Sequence, residues 1–145
     1  MGTIFKLTES ANLALHAMML LAEEPARARD TATMAKQIES SVHHLSKVMQ
    51  RLQRGGLVTS IRGPKGGFRL AVDPAKVTLL AVYTAVEGEF EIQHCLMGHP
   101  VCNHQNCPLG AALGKAGTEF REILRKTKLS HVPLAAKRTM EDKTC

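Results

Sequence analysis

Aromatic side chains are scarce in this sequence, which has no tryptophan, one tyrosine and four phenylalanines among 145 residues. Because 44% of the residues are hydrophobic, the chain can still form a core, but that core must be aliphatic. Leucine, alanine, valine and methionine dominate, and these residues favour helices. The length corresponds to one domain, or to one domain with an extension.

A long hydrophobic run is also missing. The longest, residues 13–22, is about half of a bilayer span and contains His16. Lys6 and Glu9 interrupt any early apolar stretch, so no signal peptide is predicted. We therefore expect a soluble, cytoplasmic protein with no membrane partner. In that compartment, clustered thiols are expected to be metal ligands or redox centres rather than structural disulfides.

Acidic residues are absent from residues 40–72, which hold six of the nineteen basic residues. The rest of the chain has the other thirteen basic residues against thirteen acidic ones, so the net charge of +6 arises within this stretch. A basic surface without acidic neighbours is typical of a face that binds nucleic acid. The alternative is a solvated basic surface without a partner.

The spacing of apolar residues predicts a helix-turn-helix whose second helix lies in the basic stretch. A buried helix over residues 8–24 comes first, followed by a polar connector over residues 24–30 and a short helix over about residues 33–39. Ser41 can cap the next helix, residues 42–54, which ends at Gly55 and Gly56. Its buried stripe is Leu45, Val48, Met49 and Leu52. Its candidate DNA contacts are Ser41, His43, His44, Ser46, Lys47 and Arg51.

Two alternating segments, residues 57–61 and 68–72, predict a β-hairpin after the second helix of the pair. They flank the glycine-rich sequence Arg62-Gly-Pro-Lys-Gly-Gly67, which places Arg62 and Lys65 at the tip as further DNA contacts. We expect the lysines and arginines to meet phosphates or base edges, and His43, His44 and Ser46 to read bases. The hairpin lacks the lysine–hydroxyl pair of a nucleotide-binding phosphate loop, which disfavours that alternative.

The predicted fold class is thus mainly α with a small β-hairpin wing: a winged helix-turn-helix domain plus a long dimerisation helix. After a helix over residues 77–87, the long helix begins at Pro108 and runs to about Lys128. Its apolar residues are spaced as in a coiled coil, at Leu109, Leu113, Ala116, Phe120 and Ile123. Because no core element is expected after this helix, we predict a homodimer; the alternative is that the helix packs on its own domain.

The predicted divisions of the chain follow from these elements. Residues 1–88 form the winged helix-turn-helix domain, and residues 89–108 form a cysteine-rich loop. The dimerisation helix covers residues 109–131, and residues 132–145 are a C-terminal tail.

Three of the four cysteines lie within thirteen residues: Cys95, Cys102 and Cys107. Clustered thiolates suit zinc, copper(I) or an iron–sulfur cluster. Cys107 precedes the long helix, whose dipole and unpaired amides favour a thiolate. We favour an iron–sulfur cluster. The alternatives are zinc, although the usual Cys-x-x-Cys pairs are missing, a metal-free thiol switch, and a purely structural role.

A winged helix containing Arg62-Gly-Pro-Lys-Gly-Gly-Phe-Arg-Leu70, then three cysteines, then a long helix, resembles the Rrf-type bacterial transcriptional regulators over about residues 4–132. The resemblance implies a homodimer that binds a palindromic operator in double-stranded DNA. It also implies a 2Fe-2S or 4Fe-4S cluster on Cys95, Cys102 and Cys107. Nitric oxide, redox state or iron status would then control operator binding. We predict that the protein is not an enzyme, because no constellation of His, Asp and Glu indicates a catalytic site.

The sequence departs from the family pattern at the fourth cluster ligand. Some members use a histidine three residues after the last cysteine, and others use an acidic residue early in the first helix of the partner. The corresponding positions here are Gly110 and Asn12. The candidates therefore remain Asn12, Glu9, His16, His94, His99 and His104.

Overall fold

The computed structural model describes residues 7–97 and 107–132. Within them, five helices and one hairpin follow in order: α1 (Glu9–Glu23), α2 (Thr31–Gln37), α3 (Val42–Arg54), β1 (Val58–Ile61), β2 (Gly67–Leu70), α4 (Leu79–Glu87) and α5 (Pro108–Lys126), with a 3-10 helix over Leu129–His131. The predicted fold class, mainly α with a hairpin wing, is confirmed. In these described ranges, no helix combines the length and apolar character that crossing a bilayer requires.

The core is aliphatic, as the composition predicts. Helix α1 is its central element because apolar residues cover most of its circumference, and it packs against α3 and α4. The largest fully buried side chains are Met18, Leu21, Met34, Leu45, Met49, Leu52, Leu129, Val48 and Val82. No charged or polar side chain of the described residues is buried within it.

A side-chain cap fixes the start of each of the two helices of the helix-turn-helix, α2 and α3. Asp30 accepts a hydrogen bond from the Thr33 amide at 2.8 Å, and Ser41 accepts one from the His44 amide at 3.1 Å. Hydrogen bonds from Thr33 also lower the pKa of the Asp30 carboxyl. Since Asp30 is the cap, α2 begins at Thr31, two residues before the predicted start.

Helix α3 ends in a Schellman motif. The Leu57 amide donates to the Leu52 carbonyl at 3.0 Å, and the Gly56 amide donates to the Gln53 carbonyl at 3.0 Å. Gly56 has a φ of 73°, a left-handed conformation that glycine adopts without steric cost. The predicted bounds of α3, residues 42–54, are confirmed.

The wing is a two-stranded antiparallel hairpin in which Val58 pairs with Leu70 and Ile61 with Gly67. Its tip is a turn closed by a 2.9 Å hydrogen bond from the Gly66 amide to the Gly63 carbonyl. The backbone of Arg29, between α1 and α2, pairs with Phe68 through two hydrogen bonds of 2.8 and 2.9 Å. Gly67 lies against the Arg29 carbonyl, where a β-carbon would collide, so this anchor requires glycine.

The chain continues to contribute to the core after α5. The Leu79 amide donates to the Thr127 carbonyl at 3.0 Å, and the Leu129 amide donates to the Val77 carbonyl at 2.8 Å. The Leu129 side chain is 0% exposed. The expectation that no core element follows the long helix is therefore wrong, because the end of α5 returns to the start of α4.

Candidate nucleic-acid interface and cysteine site

The predicted DNA contacts lie on α3 and on the wing. Ser41, the N-cap residue of α3, is exposed, as are His43 and Lys47 on the helix, and Ser46 is half-buried. Arg62 and Lys65 are exposed at the tip of the hairpin, where Lys65 follows Pro64 in the turn. The structure thus presents these six side chains in a form that nucleic acid can reach.

Two further predicted contacts, His44 and Arg51, are engaged by other helices. The His44 side chain is 32% exposed, and its Nδ1 lies 3.1 Å from the carboxylate of Glu9 on α1. Its Nε2 lies 3.5 Å from the hydroxyl of Ser10. The Arg51 guanidinium donates to the carbonyl of Val86, in the last turn of α4, at 3.4 Å. Helical periodicity alone does not reveal these partners.

The segment over residues 88–97 connects α4 to the cysteine site. Gly88, with a φ of 85°, turns the chain out of α4. The ring of Phe90 then packs against Tyr83 on α4 and Phe120 on α5, with centroid distances of 5.1 and 6.0 Å. Three of the five aromatic residues of the chain therefore join α4, this segment and α5.

Three glycines on α5 pack against the segment of residues 88–97. Gly110, Gly114 and Gly117 are buried, and they face Ile92 and His94. A β-carbon on Gly110 would collide with the His94 carbonyl oxygen, one on Gly114 would meet the His94 ring, and one on Gly117 would lie 3.1 Å from Ile92 Cγ2. The close approach explains three glycines in one helix, each of which costs about 1 kcal/mol in an isolated helix.

Cys107 is the N-cap residue of α5. Its sulfur accepts a hydrogen bond from the Gly110 amide at 3.4 Å, and Pro108 occupies the first helical position. Cys95 directly follows His94, whose carbonyl lies against Gly110. Both half-buried cysteines therefore lie beside the first turn of α5.

The third cysteine, Cys102, lies outside the described residues, as do His99 and His104. In residues 7–97 and 107–132, no three histidine, cysteine or acidic side chains converge as metal ligands would. The two described thiols flank residues 98–106 in the sequence, Cys107 as the N-cap of α5 and Cys95 beside its first turn, and the chemistry of these donors fits a thiolate-bound metal group.

Of the described candidates for a fourth ligand, Glu9, Asn12 and His16 lie on α1, and His94 lies in the segment beside α5. The ring of His94 lies against Gly114 of α5, and Glu9 faces His44. His16 donates from Nδ1 to the Asn12 carbonyl at 2.7 Å. Asn12 is exposed, and it lines a groove of ≈ 810 Å³ between α1, α4 and α5.

The groove beside Asn12 is acidic. Glu87, Glu89 and Glu91 line it together with Tyr83 and Phe90. Burial raises the pKa of the Tyr83 hydroxyl, and the negative charges of Glu87 and Glu91 raise it further. This surface therefore has the opposite charge from α3 and the wing.

Comparisons with known sequences identify relatives of the chain. It is 38% identical over 82 residues to a helix-turn-helix transcriptional regulator of Rhodopseudomonas palustris named BadM, a match that covers 57% of this chain and 53% of BadM. It is 29% identical over 138 residues to the transcriptional regulator NsrR of Bacillus subtilis, which covers 94% of this chain and 88% of NsrR.

Comparison with solved structures supports the same fold. CymR of Bacillus subtilis, described as its global cysteine regulator, superposes with a TM-score of 0.69 at 23% identity, covering 88% of this chain and 95% of CymR. A family model described as an iron-dependent transcriptional regulator, Rrf2, matches residues 7–133. The chain therefore belongs to the Rrf2 family of transcriptional regulators.

Proposed function

We propose that the protein is a homodimeric regulator whose binding to an operator in double-stranded DNA is controlled by an iron–sulfur cluster. Cys95, Cys102 and Cys107 would hold the cluster, and the signal would be nitric oxide, redox state or iron status. One observation carries the proposal: Cys107 bonds to the Gly110 amide, and Cys95 follows the residue whose carbonyl lies against Gly110. Two thiols thereby lie beside the first turn of one helix, where they could ligate the same metal group.

The described residues around the site would give the cluster its effect on the fold. When bound, the cluster supplies iron that reacts with oxidants and nitric oxide. Residues 88–97 lie in contact with the glycines of α5 and join directly to α4. A change in the position of Cys95 is therefore transmitted to α4, which packs against α3.

The DNA-binding surface would combine α3 with the wing. Ser41, His43, Ser46 and Lys47 would approach the major groove, with Arg62 and Lys65 of the wing on the flanking backbone. Five of these residues are exposed and Ser46 is half-buried, and residues 40–72 contain no acidic side chain; both observations support this arrangement. His44 and Arg51 have partners within the chain.

The homodimer would form through the outer face of α5. Its inner face carries the buried glycines and Leu124, whereas Leu109 and Ile123 are 61% and 53% exposed. These two residues are fourteen positions apart, or about 21 Å along the helix. Exposed apolar side chains near both ends of a helix that is already packed on its other side favour pairing with a second copy.

The proposal is tested by comparing protein purified without oxygen before and after removal of iron. We expect absorbance between about 320 and 420 nm, bound iron and sulfide, and a changed affinity for an operator selected from random DNA once iron is removed. Cys95→Ser and Cys107→Ser should each lose the absorbance. Cys145→Ser is the matched control and should retain it. Equal operator affinities with and without iron would contradict control by a cluster.

A metal-free thiol switch is the second candidate, and the same geometry favours it. Two thiols beside Gly110 could form a disulfide if Cα atoms came within about 7 Å. Iron-free protein would then bind the operator in a manner that depends on hydrogen peroxide. Mass spectrometry after thiol alkylation would detect a disulfide among Cys95, Cys102 and Cys107. A cluster regulator would instead need iron for its response.

A further inference from the structure

We infer that His44 and Arg51 are positioning residues, which hold the two ends of α3 in a closed ring of polar contacts with α1 and α4. The inference rests on the proposed role of α3 in reading DNA. Half-buried His44 and exposed Arg51 would then orient the reading helix rather than contact DNA.

The first turn of α3 is held to the first turn of α1. Both ring nitrogens of His44 face α1, one at 3.1 Å from the Glu9 carboxylate and the other at 3.5 Å from the Ser10 hydroxyl. The side chain is only 32% exposed, whereas the Glu9 side chain is 72% exposed. The ring of His44 is therefore directed at a neighbouring helix, and base reading would require it to leave both partners.

The last turn of α3 is held to the last turn of α4. Arg51 donates to the Val86 carbonyl at 3.4 Å, one of the terminal carbonyls where a helix dipole favours a cation. At Gly55, a β-carbon would lie 3.0 Å from Ala85 Cβ, so the two backbones approach closely at the same place. A guanidinium in this position orients one helix end against another.

The ring is closed between α1 and α4. The Thr8 hydroxyl donates to the Glu87 carboxylate at 2.8 Å, while its oxygen also accepts from the Ala11 amide as the cap of α1. Glu87 directly follows Val86, and Gly88 then leads into the segment that bears Cys95. The orientation of α3 is thereby connected to the cysteine site through α4 without any DNA contact by His44 or Arg51.

Salt dependence separates a positioning role of Arg51 from a phosphate contact. Each phosphate contact contributes about 0.9 to the slope of log affinity against log salt concentration. For the full-length protein on its selected operator, Arg51→Ala should weaken binding about three- to tenfold and leave the slope unchanged. Lys47→Ala is the matched control and should reduce the slope. Arg51→Lys, which keeps a donor, should recover part of the affinity. A reduced slope in Arg51→Ala would overturn the inference for Arg51.

Operator variants separate the two roles of His44. A base reader that is removed loses discrimination at one base pair, whereas a lost positioning residue weakens binding to all single-base-pair variants about equally. We expect the second pattern for His44→Ala. Glu9→Gln should give the same pattern, and the double variant should be no weaker than either single one. The inference for His44 would be overturned if His44→Ala lost discrimination at one base pair while Glu9→Gln left operator affinity unchanged.

Amide hydrogen exchange tests the ring without DNA, so its result is independent of the proposed regulation. In the free protein, His44→Ala and Thr8→Val should both increase exchange in the first turn of α1 and reduce the protection of α3, by about two- to fivefold. Lys47→Ala should leave exchange unchanged. Unchanged exchange in both ring variants would overturn the inference even if the protein proved to be a cluster-controlled regulator.

Discussion

The carbonyl oxygen of His94 occupies the space that a β-carbon on Gly110 would need, so no side chain can stand at this position unless the backbone moves. Cys95 is bonded to that carbonyl group, and the amide of Gly110 donates to the sulfur of Cys107. One glycine thus contacts both arms of the cysteine site. Its replacement offers a direct test of how the segment is held.

Gly110→Ala should destabilise the protein by roughly 1–3 kcal/mol, because the new methyl group must displace backbone. The direction is informative, since the same change in an open helix would stabilise it by about 1 kcal/mol. Urea denaturation measures the difference.

Gly114→Ala should destabilise the protein less than Gly110→Ala does. The added methyl group meets the His94 ring rather than backbone, and a side chain can rotate away. We expect a smaller loss of stability, and in a His94→Ala background the change should become stabilising. Equal effects of the two glycine variants would mean that residues 92–95 do not lie on this face of α5.

The hydroxyl of Tyr83 should titrate above the usual pKa of about 10, because burial and then Glu87 and Glu91 raise its pKa. Tyr83 is the sole tyrosine in a chain without tryptophan, so absorbance near 295 nm reports it directly. A raised folded pKa means that its contribution to stability is complete below the unfolded value and is lost as the pH rises through the folded value. Tyr83→Phe should remove that part of the alkaline loss. A midpoint equal to that of urea-unfolded protein would contradict the burial described.

Leu129→Ala should lower the free energy of unfolding by about 2–5 kcal/mol, as expected for a fully buried leucine. The loss arises because residues 127–129 tie the end of α5 to the start of α4. Ser130→Ala is the control, since Ser130 is exposed and contributes its backbone amide to the Pro74 carbonyl. Thermal unfolding monitored by circular dichroism compares them. An unaffected Leu129→Ala would show that this return is dispensable.

Ile123→Glu should convert the proposed dimer to a monomer, because it replaces an exposed apolar residue of α5 with a charged one. Lys115→Glu, at another exposed position on the same helix, should leave the assembly intact. Sedimentation equilibrium gives the mass of each variant. If the wild-type protein sedimented as a monomer, the outer face of α5 would need another explanation.

Local patterns predict much of the fold. The bounds of α3 follow from Ser41 at one end and Gly55 with Gly56 at the other, because caps act within a few residues of the helix that they end. The start of α2 is misplaced because Asp30 is interpreted as part of a connector rather than as a cap. The burial of Leu129 is missed because its partner, Val77, is far away in the sequence.

The site is predicted less completely, because its contacts also join residues that are far apart in the sequence. The position of Cys107 before Pro108 identifies it as a helix start, and the structure confirms that it caps α5. The three glycines of α5 are visible in the sequence, but what fills the space beside them is not. Likewise, periodicity assigns His44 and Arg51 to an outward face and cannot reveal that Glu9 and Val86 meet them. Phe90 gives no signal at all until Tyr83 and Phe120 are adjacent.

The sulfur of Cys107 caps α5 by accepting a hydrogen bond from the Gly110 amide. The same atom can also donate an electron pair to a metal ion or another electrophile. A reagent that modifies this sulfur acts on the same atom that accepts the Gly110 amide, so the chemical change occurs at the cap of α5 itself. In such a regulator, a reaction at the thiol would act directly on the start of α5, because the reacting atom is also the helix cap.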